Sequence, residues 1–202
     1  MAEVTGGGNK FWTDATVSPK RNYRWIVRMG PDSDIVWYAK TVTTPSYEVS
    51  EIEHQFLDNK YYYPGRVSWS EVTLTLVDPV SPDAVGITLD ILTASGYSVK
   101  TKTEAGNPKT ISKGASAGGA NEKNKGLGKF RIELYDHDGE MLETWALWNA
   151  WVKSAKYGDL DYSNDELRTV ELTIRYDWAE CDFGTKNAAN DFNPWSSGGM
   201  DK

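Results

Sequence analysis

An alternation of apolar and polar residues predicts β-strands along most of the chain. In the first such segment, from Tyr23 to Met29, every second residue is apolar, and Arg24 and Arg28 occupy the opposite face. Further strand segments are predicted at 35–45, 67–79, 129–134 and 170–178. A period of two is typical of a strand with one face in a core and one face in solvent. The pattern predicts a mainly β protein, an antiparallel β-sandwich or barrel of about six to seven strands.

One mid-chain α-helix is predicted over residues 81–96. Ser81 is a candidate N-cap residue, and Pro82 suits the first helical position. Three apolar residues have the spacing of a single helix face: Val85, Leu89 and Leu92. Gly96 is the expected end of the helix, because glycine readily adopts the left-handed conformation that follows a last turn. We expect this helix to cover one end of the sheets.

Two turns are predicted between strands. Asp138-Gly139 is a strong hairpin signal between two alternating segments. Residues 46–64 are polar and aromatic and show no obvious core face, so they are predicted to form an extended excursion that turns around Asp58-Asn59.

Composition divides the chain into an arm, a domain with an insert, and an extension. Residues 1–20 are polar and Gly-rich, and residues 181–202 are polar with a few aromatic side chains. The domain is predicted to span residues 21–180. Within it, residues 98–128 are rich in Lys, Gly and Ser and have almost no apolar anchor. Such a segment cannot bury enough apolar surface to offset its ordering entropy, so it is predicted to be flexible.

The net charge limits the kind of partner. The chain of 202 residues has a formal net charge of −7, and residues 98–129 carry seven Lys against two Glu. Without that segment, whose net charge is +5, the rest of the chain carries −12. General binding to nucleic acid requires Lys and Arg to neutralise phosphates, so an acidic body argues against it.

Cysteine content and targeting signals limit the compartment. The single cysteine, Cys181, excludes an internal disulfide framework and a four-cysteine zinc site. The N-terminal residues lack the basic and apolar regions of a secretory signal, and no apolar run approaches the roughly 20 residues that span a bilayer. We therefore expect a soluble protein that folds in a reducing cytoplasm and has no membrane partner.

Two histidines are the first candidates for catalytic chemistry. His137 lies between Asp136 and Asp138, an arrangement that could orient an imidazole or hold a small metal site. The Asp-Gly turn already accounts for these residue types, so a polar hairpin tip is favoured. His54 has no obvious partner in the sequence. No nucleophile, zinc or phosphate-loop motif is present, and neither an enzyme nor a cofactor is expected.

A cluster of carboxylates precedes the last predicted strand: Asp159, Asp161, Asp165 and Glu166. Asp159 and Asp161 match the first two ligand positions of a calcium-binding loop. Such a loop needs Gly at its sixth position and Glu at its twelfth, where this chain has Asn164 and Val170. The pattern favours a turn that leads into a strand, without a metal.

The aromatic content leaves a binding protein as an alternative. The chain has nine Trp and eleven Tyr, including three consecutive Tyr at 61–63 that could stack on sugars. Three of the tryptophans are spaced by three residues, which fits a helical stripe or a strand that bends: Trp145, Trp148 and Trp151. Most of the tryptophans lie in strand patterns, where packing in a core is the usual role. A carbohydrate-binding β-sandwich is therefore the second interpretation.

The order of these segments resembles the tail tube protein of contractile-tailed bacteriophages. The resemblance covers residues 20–96 and 129–180. It rests on WSEVTLTLVDP followed by a capped helix that ends in SG, then RIELYDHDGE, WALWNAWV and finally LDYSNDELRTVELTIRYDW. Type VI secretion tube proteins share that fold, and the match to them is looser. The insert and the C-terminal extension are longer than the family pattern.

The resemblance implies a structural virion protein whose hexameric rings stack into the inner tail tube, which conducts the genome during ejection. It implies a location in the virion tail after assembly in the host cytoplasm. The partners implied are other copies of the chain, the tail sheath, baseplate, tail terminator and tape measure proteins, and phage DNA that passes without specific binding. An acidic lumen would repel phosphate.

Candidates for the lumen or the ring interface follow from the same resemblance: Glu48, Glu51, Glu53, Asp58, Glu171 and Asp177. The excursion 46–64 is the expected contact between rings, because it has no core face. The Lys-rich insert is expected outside the tube or at a ring interface, with a solvated linker as the alternative.

Overall fold

Two antiparallel sheets share one core, and a long hairpin forms a third sheet. The computed structural model describes residues 19–30, 34–97, 111–117, 126–163 and 165–184. The strands are β1 (Trp25–Met29), β2 (Asp34–Ile35), β3 (Ala39–Val42), β4 (Tyr47–Phe56), β5 (Asn59–Trp69), β6 (Val72–Val77), β7 (Phe130–Tyr135), β8 (Met141–Trp148), β9 (Trp151–Lys156), β10 (Thr169–Arg175) and β11 (Trp178–Phe183). The helices are α1 (Ala84–Ala94) and α2 (Lys113–Ser116).

The sheets have the orders β11-β8-β7-β1-β2, β3-β6-β10-β9 and β4-β5. The antiparallel, mainly β class is confirmed, and the sheets that the described residues form are not closed into a barrel. The described residues form eleven strands rather than six or seven, because the excursion forms two strands and several of the predicted strands each divide. None of the helices in the described segments has the length and apolarity needed to cross a membrane.

The core lies where alternating faces of the two larger sheets meet. On β6 and β10, the inward positions are fully buried: Val72, Leu74, Leu76, Val170, Leu172 and Ile174. Leu74 lies directly opposite Leu172, so the two apolar rows are in register. Val27 and Ile132 face them from the five-stranded sheet. Burying an aliphatic side chain of this size contributes about 1.5–3 kcal/mol, and this face therefore determines the register.

The chain changes sheet at places where one continuous strand was predicted. The segment 35–45 divides into β2, which pairs with β1, and β3, which pairs with β6. The predicted strand 170–178 ends at Arg175, and Trp178 begins β11 in the other sheet. The tryptophan stripe divides between β8 and β9, because Asn149 takes a φ of +54° between them.

Helix α1 begins later than predicted. Asp83 rather than Ser81 is the N-cap, and its Oδ1 accepts a hydrogen bond from the Val85 amide at 3.0 Å. The buried face is also different from the one predicted, since it consists of Ala84, Thr88 and Ile91. Val85 is partly buried against the core as predicted, but Leu89 is exposed, so the predicted stripe is wrong at that residue. Gly96, with a φ of +107°, ends the helix as predicted.

The insert and the termini are described in part. Residues 1–18, 98–110, 118–125 and 185–202 lie outside the described residues, and with them most of the predicted arm, insert and C-terminal extension. The insert was expected to have almost no apolar anchor, and in its described part Leu127 provides one, because this side chain is fully buried. Strand β11 continues to Phe183, past the predicted domain end at residue 180.

Candidate assembly surfaces

The β4–β5 hairpin is the most exposed element of the described structure. Strand β4 has ten residues and β5 has eleven, and nearly all are exposed. At about 3.3 Å per residue, β4 alone is about 33 Å long. The chain reverses at Leu57 and Asp58, because Phe56 pairs with Asn59; the predicted turn lay one residue later.

One face of the hairpin carries apolar and aromatic side chains. Ile52 lies opposite Tyr63, His54 lies opposite Tyr61, and Phe56 lies at the end of the same face. We call Ile52, Phe56, Tyr61 and Tyr63 the aromatic face; their exposed fractions range from 48% to 61%. Clusters of exposed apolar groups are typical of surfaces that contact another molecule.

The other face of the hairpin carries two carboxylates together with the exposed side chain of Tyr62. Glu51 and Glu53 alternate with the aromatic face along β4, and Glu53 lies opposite Tyr62. Lys60 Nζ lies 2.8 Å from Glu53 Oε1. We call Glu51 and Glu53 the acidic face. Glu48 lies on the same side of β4 as Ile52, so the predicted acidic residues of the excursion are divided between the two faces.

Aromatic contacts and a bulge hold the base of the hairpin. Tyr47 packs edge-on against Trp69 with ring centroids 5.5 Å apart, and Trp69 packs on the core residue Tyr176 at 6.1 Å. The register shifts beside Ser50, where a side chain at Gly65 would collide with the Ser50 side chain and carbonyl. The hairpin therefore has a fixed start on the body.

The outward face of the four-stranded sheet is polar and rich in hydroxyl groups. Thr41 lies opposite Thr75, and Thr73 lies opposite Thr173. Its carboxylates are paired with cations: Lys156 Nζ lies 2.9 Å from Glu171, Lys153 Nζ lies 2.5 Å from Glu71, and Arg175 lies 3.7 Å from Glu71. Glu171, predicted to contribute acidic charge, is thus compensated by its cross-strand neighbour.

Asp177 lies at the corner between β10 and β11. Its carboxylate accepts hydrogen bonds from Lys113 Nζ at 2.5 and 2.7 Å and from Asn149 Nδ2 at 2.8 Å. These two donors, Lys113 first, hold the pKa of the Asp177 carboxyl below its ordinary value. Its backbone amide donates to the Trp148 carbonyl at 3.0 Å. Asp177 therefore joins segments of its own chain.

The structure does not bring the predicted lumen or interface residues together. Glu48, Glu51, Glu53 and Asp58 belong to the hairpin, Glu171 lies on the four-stranded sheet, and Asp177 lies at a sheet corner. The aromatic face was not predicted as a unit. Its signal in the sequence is the alternation of Ile52, His54 and Phe56 with the polar residues Glu53 and Gln55.

The histidine and carboxylate clusters have local roles. His137 Nδ1 lies 2.7 Å from Asp136 Oδ1 and its Nε2 lies 3.4 Å from Asp138 Oδ2, at the exposed hairpin tip between β7 and β8. Three ligand atoms of these residues lie within 4.8 Å of one another, a spacing that could hold a cation. Asp161 accepts hydrogen bonds from the Ser163 amide and hydroxyl, which lower its pKa. The predicted turn is present there.

Solved structures of contractile injection systems share this fold. A chain in the PVC sheath/tube terminator of an extracellular contractile injection system aligns with a TM-score of 0.60 at 18% identity, over 83% of this chain and 99% of that chain. A chain in the tube-terminating cap of the anti-feeding prophage aligns at 0.60 and 19%, over 84% and 95%. A chain in the PVC sheath-tube complex aligns at 0.56 and 19%, over 83% and 94%.

No protein-family model and no curated protein sequence matches the chain. The shared fold confirms the tail-tube-like architecture that the sequence resemblance implied. These three structures are parts of an extracellular contractile injection system and of the cap of the anti-feeding prophage.

Proposed function

We propose that the protein is the repeating subunit of a tube, in which hexameric rings stack to form the inner tail tube of a contractile-tailed phage. The observation that carries this proposal is the exposed β4–β5 hairpin on a tail-tube-like sandwich. A hairpin with an aromatic face is poorly stable in water by itself, and it gains stability when that face packs on another molecule. A copy of the chain in the next ring supplies such a surface.

The hairpin makes the contact between rings in this proposal. Its fixed base at Trp69 and its length of about 33 Å let it reach a neighbouring subunit. The aromatic face contacts the neighbour, and the acidic face of Glu51 and Glu53 remains in solvent. This assignment refines the expectation for segment 46–64, which treated both faces alike.

The outward face of the four-stranded sheet lines the channel in this proposal. Its threonine hydroxyls and paired charges present few apolar groups to a passing polymer. The ion pairs that Glu171 and Glu71 make reduce the acidic character expected of a lumen. Low adhesion then comes from hydroxyl groups and compensated charge, rather than from repulsion of phosphate alone.

The proposed particle has further partners: tail sheath, baseplate, tail terminator and tape measure proteins, with phage DNA as the transported polymer. The tube of an injection particle is the second candidate, because two of the structures that share the fold belong to an extracellular contractile injection system. Nuclease-protected DNA inside native particles distinguishes the phage tail from an injection tube without DNA.

Negative-stain electron microscopy and sedimentation velocity of the purified full chain test the tube proposal. Rings or hollow tubes, with a sedimentation coefficient that rises with protein concentration, are the expected result. A chain that stays monomeric at all accessible concentrations, and binds a glycan column through Tyr61 and Tyr63, would instead identify the carbohydrate-binding alternative.

A further inference from the structure

Helix α2 of the insert is fixed at both ends to the body of the protein. The Ser112 hydroxyl caps it by accepting a hydrogen bond from the Ala115 amide at 3.2 Å. The Ser112 amide donates to the Ser95 carbonyl at the end of α1 at 3.1 Å. At the other end, the Leu127 amide donates to the Ser116 carbonyl at 2.9 Å. The described part of the insert is therefore held at defined points.

Residues 126–128, at the end of the insert, pack closely against α2. Leu127 is fully buried in the core, and its carbonyl accepts a hydrogen bond from the Gly30 amide at 2.8 Å. A side chain at Gly126 would collide with the carbonyl oxygens of Ala115 and Ser116. Glycine at this position therefore permits the close approach of the two segments.

A carboxylate joins α2 to the two corners where the chain changes sheet. Asp177 belongs to the β10–β11 corner, and Asn149, which donates to it, belongs to the β8–β9 corner. Lys113, on α2, contacts both carboxylate oxygens. One side chain thus connects three segments that are far apart in sequence, next to the start of the edge strand β11.

We propose that residues 111–117 are a strap: the Lys113–Asp177 contact holds it over the two corners, and release of that contact opens the strap while both sheets stay folded. The side chains of Lys113 and Asp177 are 57% and 35% exposed, so their attraction is weakened by solvent. Local opening of such a segment costs less free energy than unfolding the core. The proposal concerns the single chain and does not depend on tube formation.

Hydrogen exchange of the full chain tests the strap, with Lys113→Met as the variant. The amides of Ser112, Ser116 and Leu127 should exchange about twofold to fivefold faster, as expected for loss of one partly exposed ion pair. The amide of Leu172 in β10 should keep its rate. Lys156→Met is the matched control: it breaks an ion pair of similar exposure on the sheet and should leave the strap amides unchanged.

The unmodified protein provides a second measurement that needs no substitution. Raising the ionic strength from about 0.05 M to about 0.5 M screens the Lys113–Asp177 attraction and should accelerate exchange at the strap amides only. The proposal is overturned if these amides exchange at the rate of Leu172, which would mean that they open only with the whole domain. It is also overturned if neither salt nor Lys113→Met changes their exchange.

Discussion

Ile52 lies directly opposite Tyr63 across the β4–β5 hairpin, and both side chains are more than half exposed, at 60% and 56%. Cross-strand neighbours on one face of a sheet contact each other, but a two-stranded sheet has no layer beneath to cover them. Their sequence neighbours Glu53 and Tyr62 lie on the other side of the hairpin. Substitutions on each face therefore test separately which surface contacts a second copy of the chain.

Replacing Ile52 and Tyr63 together by Ser should weaken self-association by about tenfold or more, because aromatic and aliphatic side chains dominate the energy of interfaces. The free energy of unfolding should change by less than about 1 kcal/mol, because both residues are exposed. Sedimentation velocity measures the first quantity and urea unfolding of the monomer measures the second. Glu53→Gln on the acidic face is the control and should assemble normally. Assembly lost in the control but kept in the double variant would assign the contact to the acidic face.

Leu172→Ala should destabilise the domain by about 2–5 kcal/mol, because it leaves a cavity between two sheets. Leu172 is fully buried and lies opposite Leu74 at the centre of the four-stranded sheet. Thr173→Ala, one residue later and on the polar face, should cost less than about 1 kcal/mol. Urea unfolding monitored by tryptophan fluorescence compares the two. Equal losses for both variants would place the core on the wrong face of β10.

The larger sheets were predictable because burial imposes a period of two on their strands. In β6 and β10, every inward residue is aliphatic and every outward one except Val77 is polar, so the pattern alone indicates the faces. The ends of the strands were not predictable in the same way. Arg175 and Trp178 belong to different sheets, although the alternation continues through both. A change of sheet depends on packing between distant segments, which a local pattern does not contain.

The candidate surfaces were harder to predict than the fold. The hairpin looked irregular in sequence because apolar side chains on both of its faces remain exposed, and no core selects one of them. Asp177 was a candidate for the lumen or the ring interface, as the family resemblance implied. Its partners Lys113 and Asn149 lie 64 and 28 residues away in sequence, so only the folded structure brings them together.

Deleting residues 118–125 and joining the chain through a short Gly-Ser link should leave the unfolding midpoint nearly unchanged. The flanking residues Ser116 and Leu127 are already hydrogen-bonded to each other, so a short turn can connect them. Leu127→Ala should instead cost about 2–5 kcal/mol, since that side chain is fully buried. Thermal unfolding of both variants checks this. A wild-type midpoint for Leu127→Ala would show that the insert makes no contribution to the core.

The Cys181 thiol should react slowly in the native protein. Burial, with a smaller contribution from the Glu143 carboxylate, raises the pKa of Cys181 to about 11. Only the thiolate reacts, so alkylation by iodoacetamide at pH 8.5 should be about a hundredfold slower in the native than in the denatured protein. Mass spectrometry of quenched samples follows the reaction, with the same chain in guanidinium chloride as the control. Equal rates in the two states would contradict the raised pKa.

The raised pKa of Cys181 also predicts how the free energy of unfolding depends on pH. Between about pH 9 and pH 11, the native thiol keeps its proton while the unfolded one loses it. The unfolded state then binds fewer protons, so the contribution of Cys181 to stability is complete below this range and is lost as the pH rises through it. Other groups titrate there too, and comparison with Cys181→Ala isolates the thiol. The difference in urea midpoint between the wild type and Cys181→Ala should change between pH 8 and pH 10.5, because only the wild type loses the contribution of the thiol. A gap that stays constant would show that the thiol titrates alike in both states.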